Sequence, residues 1–209
     1  MKFADWEPYY ARILAYFGFS REDDEASARI LSAILPRNDI ALLEEKIRNR
    51  QVIVAGNAPS LSRDIAKTVF DGSCCIAADA SARVLSRYGI IPDIVFTDLD
   101  GLDDDILFLN AEGTLLAVHA HGDNIPLVKS WVPKITGPVV GTTQSVPLHN
   151  VYNFGGFSDG DRCVFAAHEF GAESVTLIGF DLDDTSVDPV KHGKLQIARK
   201  LLHLIGHDI

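Results

Sequence analysis

The hydrophobic period of this chain changes at Gln51. From there, short apolar runs alternate with helical stretches, as expected of a parallel sheet with crossover helices. The pattern predicts strands at 52–55, 74–78, 94–97, 114–118, 139–140 and 175–178. It predicts helices at 61–70, 80–88, 125–131, 162–170 and 194–204. Ahead of the change, Trp6, Tyr9, Tyr10, Ile13, Leu14 and Phe17 recur at three- and four-residue steps, the stripe of an amphipathic helix. Ser20 and Asp23 signal the start of a second helix, whose Ala26, Ile30, Ala33 and Ile34 face one way until Pro36, and a third covers 40–47. The expected organisation is an α/β domain at 51–209 behind an N-terminal helical region at 1–50.

With 209 residues there is room for one such domain and an appendage. The formal net charge of −10, without any basic run, argues against a nucleic-acid partner. An anionic substrate must then be met locally, by backbone N–H groups, a few cations or a metal. Cys74, Cys75 and Cys163 are too few and scattered for a disulfide framework, so a reducing cytoplasm is expected. Lys2, Asp5 and Glu7 interrupt any leader-type apolar stretch, and no run approaches the ~18 apolar residues of a membrane span.

In open parallel sheets ligands sit beyond the carboxyl ends of the strands, and here the polar residues gather in those places. The first strand runs into Gly56-Asn57-Ala58-Pro59-Ser60, a small-residue turn suited to a nucleotide, with Ser60 as a plain helix cap the alternative. Asp79 follows the second strand. The third delivers Asp98-Leu99-Asp100-Gly101; if the chain stays extended through Leu99, both carboxylates share one side and call for a divalent ion. The fourth ends in His119-Ala120-His121-Gly122-Asp123. Such a pair of histidines can bind zinc, but no third strong ligand is evident, and phosphate or base contacts or simple packing remain open.

The fifth strand leads into Thr142-Thr143-Gln144, residues able to hydrogen-bond a flat heterocycle. Residues 142–160 form a long irregular stretch of the kind that is often functional. It ends in Gly155-Gly156-Phe157-Ser158-Asp159-Gly160-Asp161-Arg162. Either Asp159 or Asp161 is expected to cap the next helix, leaving the other for metal and Arg162 for a phosphate.

These segments together resemble the archaeal 6-hydroxymethyl-7,8-dihydropterin diphosphokinase family, a Rossmann-like group distantly similar to thiamine pyrophosphokinases. The resemblance is carried by Pro92-Asp93 through Gly101, by His119 through Asn124, by Asn153 through Arg162, and more faintly by Lys191 through Leu195. Ala58 stands where Gly is frequent in the wider family, and Ser158 where Thr is usual. It implies a Rossmann-like, mostly parallel sheet and Mg2+-dependent transfer of diphosphate from ATP to the hydroxymethyl oxygen of a reduced pterin, releasing AMP. Asp98, Asp100 and Asp159 would hold the metal, with Asp79 a fourth candidate. Arg162 and Lys194 would steady phosphates, Gly56, Asn57, Ser60, Asp79 and Gln144 would meet the nucleotide, and His121 or Asp123 would take the hydroxyl proton.

Three other readings share these residues: a thiamine pyrophosphokinase, a metal-dependent nucleotide-sugar glycosyltransferase, and a nucleotide-sensing module without turnover. The role of the N-terminal helices is open between a lid, a homodimer contact and packing.

Overall fold

The structure, a computed structural model, describes residues 1–207. Its strands are β1 (Gln51–Ala55), β2 (Cys74–Ala78), β3 (Ile94–Thr97), β4 (Leu115–Ala120), β5 (Val139–Thr143), β6 (Val151–Tyr152) and β7 (Ser174–Ile178). They form one seven-stranded sheet in the order β6-β5-β4-β3-β2-β1-β7, and every neighbouring pair is parallel. The helices are α1 (Phe3–Phe17), α2 (Arg21–Ile34), α3 (Ile40–Ile47), α4 (Leu61–Ile65), α5 (Ser81–Arg87), α6 (Asp104–Ala111), α7 (Ile125–Trp131), α8 (Asp159–Glu169) and α9 (Pro189–Leu204).

The chain advances strand by strand from β1 to β6, so crossovers of one hand place their helices on one face. Ile53, Ala55, Cys75, Ala77, Val95, Leu116 and Val118 point to that face, where α4 to α7 bury Leu61, Ala82, Leu85, Ile106 and Val128. The return from β6 to β7 runs the other way and puts α8 on the opposite face. There Val52, Val54, Cys74, Ile76, Ile94 and Leu115 meet Cys163, Val164 and Ala167 of α8 and Leu202 of α9. Burial on both faces explains why the strands read as continuous apolar runs.

The N-terminal helices join these cores. Ala28 and Leu31 of α2 pack on the first face, and Leu43 and Ile47 of α3 on the second. Trp6, Tyr10 and Ile13 of α1 pack with Phe157, Phe165 and Leu201. The stripe of α2 departs from expectation: its buried positions are Asp24, Ser27, Ala28 and Leu31, while Ala33 is exposed. The face is turned because two polar side chains are buried with partners. Ser27 Oγ donates to Asn124 Oδ1 at 3.1 Å, and Asp24 is described below.

Several boundaries also shift. β4 runs on to Ala120 because His119 and Ala120 pair with Thr142 and Thr143, which lengthens β5 likewise. α9 begins at Pro189, where the Asp188 side chain accepts from the N–H groups of Val190 and Lys191. α4 closes at Ile65, short of the expected end near 70. Among the described residues, no helix is long and apolar enough to cross a membrane.

Candidate active site

At the carboxyl end of β2 the chain turns sharply at Asp79, whose φ is +46°. Its N–H donates to Phe96 O at 2.7 Å, and its Oδ1 accepts from Thr97 Oγ1 at 2.7 Å. No side-chain bond caps α5, so this carboxylate is not a helix cap. After β3 the backbone does not stay extended: Leu99 is left-handed (φ +77°) and buried, with its N–H on Thr97 Oγ1 at 2.9 Å. A bulky residue there is strained by about 1–3 kcal/mol. The inward Leu99 leaves Asp98 and Asp100 in a tight turn, the Asp100 N–H on Asp98 Oδ1 at 3.2 Å, rather than side by side on a strand.

At the start of α8 the cap is Ser158, and Asp161 closes a capping box by accepting from Ser158 and from the Phe157 N–H. Neither expected aspartate is the cap residue. Asp161 is buried in this role, and Asp159 turns toward the strand ends. Carboxylate oxygens of Asp79, Asp98 and Asp159 all lie within 4.8 Å of one another, a group that Asp100 does not join. Gly101 makes room for it, since a Cβ at that position would fall 2.1 Å from Asp79 Oδ2.

Arg162 is buried behind Asp159. Its Nη1 donates to Asp159 Oδ1 at 3.2 Å, and its Nη2 donates to Gln144 Oε1 at 3.1 Å and to Phe157 O. Gln144 in turn donates through Nε2 to Asp24 Oδ2 at 2.8 Å. Asp24 also accepts from Tyr10 Oη at 2.7 Å and from the Gly122 N–H at 2.8 Å. Both ends of the Gln144 amide are thus engaged within the protein. Asp24 was not foreseen; the only signal for it is its spacing with Ser27, Ala28 and Leu31 on one helix face.

Burial pushes the carboxyl groups of Asp79 and Asp159 above the usual range, and neighbouring carboxylates add to it in both. Asp100 is pushed up to about 6 by burial and by the charge of Asp98. Burial would raise Asp98 as well, but hydrogen bonds from His121 and Asp100 outweigh it and hold the group below its ordinary value. His121 Nε2 lies 3.5 Å from Asp98 Oδ2. His119 is fully buried, its Nδ1 3.1 Å from Thr142 Oγ1, and burial keeps it neutral. The two histidines therefore have different surroundings, one in the core and one facing the site.

Two cavities meet at this group. One, of about 270 Å³, has Asp98, His121, Gln144, Asp159, Arg162 and Lys194 among its lining residues. The other, of about 300 Å³, lies beyond β1 and β7 and takes in Gly56, Asn57, Asp79 and Asp159. Ser60 opens α4 without a cap bond and lines neither of these two cavities. The family model described as 6-hydroxymethylpterin diphosphokinase MptE-like matches residues 29–187. The chain belongs to this family.

Relatives of the 6-hydroxymethylpterin diphosphokinase family match over nearly the whole length. A 6-hydroxymethyl-7,8-dihydropterin pyrophosphokinase of Pyrococcus furiosus is 40% identical over 100% of this chain and 96% of its own. That of Methanothermobacter thermautotrophicus is 36% identical over 94% and 92%. Among solved structures, the MAf glycosyltransferase of Magnetospirillum magneticum AMB-1 covers 82% of this chain and 29% of its own at TM-score 0.48 and 18% identity, too slight a likeness to carry an argument. A diphosphokinase works on a polyphosphate, and the donor set fits a hard divalent ion: three half-buried carboxylates, their mutual repulsion offset in part by Arg162, His121 and Arg83.

Proposed function

We propose that the protein transfers the diphosphoryl group of ATP to the hydroxymethyl oxygen of a reduced pterin, releasing AMP, with Mg2+ held by Asp79, Asp98 and Asp159. The observation that carries this reading is the position of the three carboxylates where two cavities meet, Asp98 on one wall, Asp79 on the other and Asp159 on both. A reaction between two substrates needs such a shared point.

The nucleotide is placed in the cavity beyond β1 and β7. The chain leaves β1 toward β2 on one side and meets β7 on the other, which makes this crevice the reversal point of the sheet. Gly56 and Gly179 pack backbone to backbone there, a Cβ on Gly56 falling 2.6 Å from Gly179 O, with the Phe180 ring beside them. Bound Mg2+ would neutralise charge developing at the β-phosphoryl group. Arg162 fixes Asp159 in place, and His121, on the other cavity's wall beside Asp98, would take the hydroxyl proton, with Asp123 of the same wall the alternative.

Three buried cysteines, all free, fit a reducing cytoplasm. The test is product analysis with ATP, Mg2+ and a panel of acceptors. AMP formed only with the hydroxymethyl pterin supports the reading. AMP with thiamine, transfer from a nucleotide sugar, or binding without turnover would each replace it.

A further inference from the structure

We infer that the turn joining α1 to α2, with the first turn of α2, is the specificity element for the acceptor, and that the pterin lies against Phe19 with its amino edge toward Asp23. This rests on the proposed two-substrate reading and adds which cavity selects the alcohol and with what residues. The cavity opposite the nucleotide crevice has Phe19, Ser20, Asp23, Phe157 and Arg162 among its lining residues.

Phe19 stacks on Phe17 with ring centres 5.2 Å apart and planes at 13°, and Phe17 stacks on Phe157 at 5.3 Å and 23°. Phe19, at the outer end of this column, is 37% exposed, so a flat ring has an aromatic surface to lie on. Asp23 is exposed at the same wall, while Asp24 beside it is buried and already bonded three times. Its carboxylate is thus available to accept from an amino group and a ring N–H, the donor edge of a pterin. In the same cavity, Arg162 is nine-tenths buried and its Nε has no hydrogen-bond partner. The segment is held rigidly enough to select, because Asp24 ties it to Gln144 and Gly122.

The test measures binding without turnover, in the presence of Mg2+. Reduced pterin is followed by its fluorescence, and the α,β-methylene analogue of ATP, in which the bond to be broken is replaced, by calorimetry. Phe19→Ala and Asp23→Asn should each weaken pterin binding about tenfold, the loss of one good contact, with nucleotide affinity within about twofold. Phe180→Ala and Lys191→Ala, on the opposite cavity, should show the reverse pattern. Pterin affinity unchanged in both Phe19→Ala and Asp23→Asn, or weaker nucleotide binding in them, overturns the inference. If the unmodified protein still forms AMP from ATP and the pterin in that case, the proposed reaction stands and only this assignment fails. An unmodified protein that neither binds the pterin nor forms AMP overturns both.

Discussion

Gln144 Nε2 donates to Asp24 Oδ2 at 2.8 Å across 120 residues of sequence, and so couples the second helix to the arginine behind the clustered carboxylates. Trp6 Nε1 reinforces the link by donating to Gln144 O at 2.8 Å. Asp24→Ala would leave Tyr10 Oη, the Gly122 N–H and the Gln144 amide without their acceptor. The expected loss is about 3 kcal/mol, several unsatisfied groups being partly relieved by water. Urea unfolding measures it; a loss below about 1 kcal/mol would show that Asp24 is not a node of the fold.

Gly101→Ala should disable the site without removing a ligand. The added methyl would stand where the Asp79 carboxylate is, so that side chain must leave the group formed with Asp98 and Asp159. The Mg2+ concentration for half-maximal rate should rise about tenfold or more, the scale seen when ligand orientation is lost. A normal metal requirement would contradict the shared role of the three carboxylates.

Mg2+ should stabilise the protein more at pH 8 than in mild acid. Asp79, Asp100 and Asp159 hold protons more tightly folded than unfolded, so ionising them as pH rises costs stability; for Asp100 the loss runs from the ordinary carboxylate range near 4 up to about 6. Groups held below their ordinary values act in the opposite sense: Asp64 and Asp188 lose their contribution once pH falls below about 4, and His119, His168 and His207 lose theirs as pH falls through about 6.5. A cation on the clustered carboxylates relieves only the first of these costs, so melting with Mg2+ and with EDTA should show the largest difference in Tm at pH 8. A difference as large at pH 5.5 as at pH 8 would reverse the account.

Arg162 turns its two terminal nitrogens inward, toward Asp159, Gln144 and Phe157 O, and Arg162→Ala breaks a buried ion pair. We expect about 3–5 kcal/mol of lost stability and a fall in kcat larger than the rise in KM for ATP. A change in KM for ATP alone, with normal stability, would return Arg162 to a direct phosphate contact.

The sheet was legible because β1 to β5 are buried on both faces and their apolar runs are bounded by turns; β2, β3, α3 and α7 fall where the pattern places them. α6 escaped because its apolar residues are consecutive rather than periodic, with Ile106 buried and Phe108 exposed, and β6 because two residues carry no period. At the site, the sequence pointed to Asp98 and Asp159, with Asp79 as a fourth candidate, but not to the break at Leu99, since nothing in a leucine announces a left-handed backbone. Asp100, beyond that break, stays outside the group that Asp79 joins. Asp24 was hidden in an acidic run, where a solvated helix face is the simplest reading.

The most direct measurement is AMP formation from ATP and the hydroxymethyl pterin as a function of Mg2+, in the unmodified protein and in Asp79→Asn, Asp98→Asn and Asp159→Asn. The account predicts no AMP in EDTA, and in each folded variant a rate lower by on the order of 100-fold or more, with Asp100→Asn less affected. AMP formation that survives EDTA, or that proceeds normally in all three variants, would contradict it.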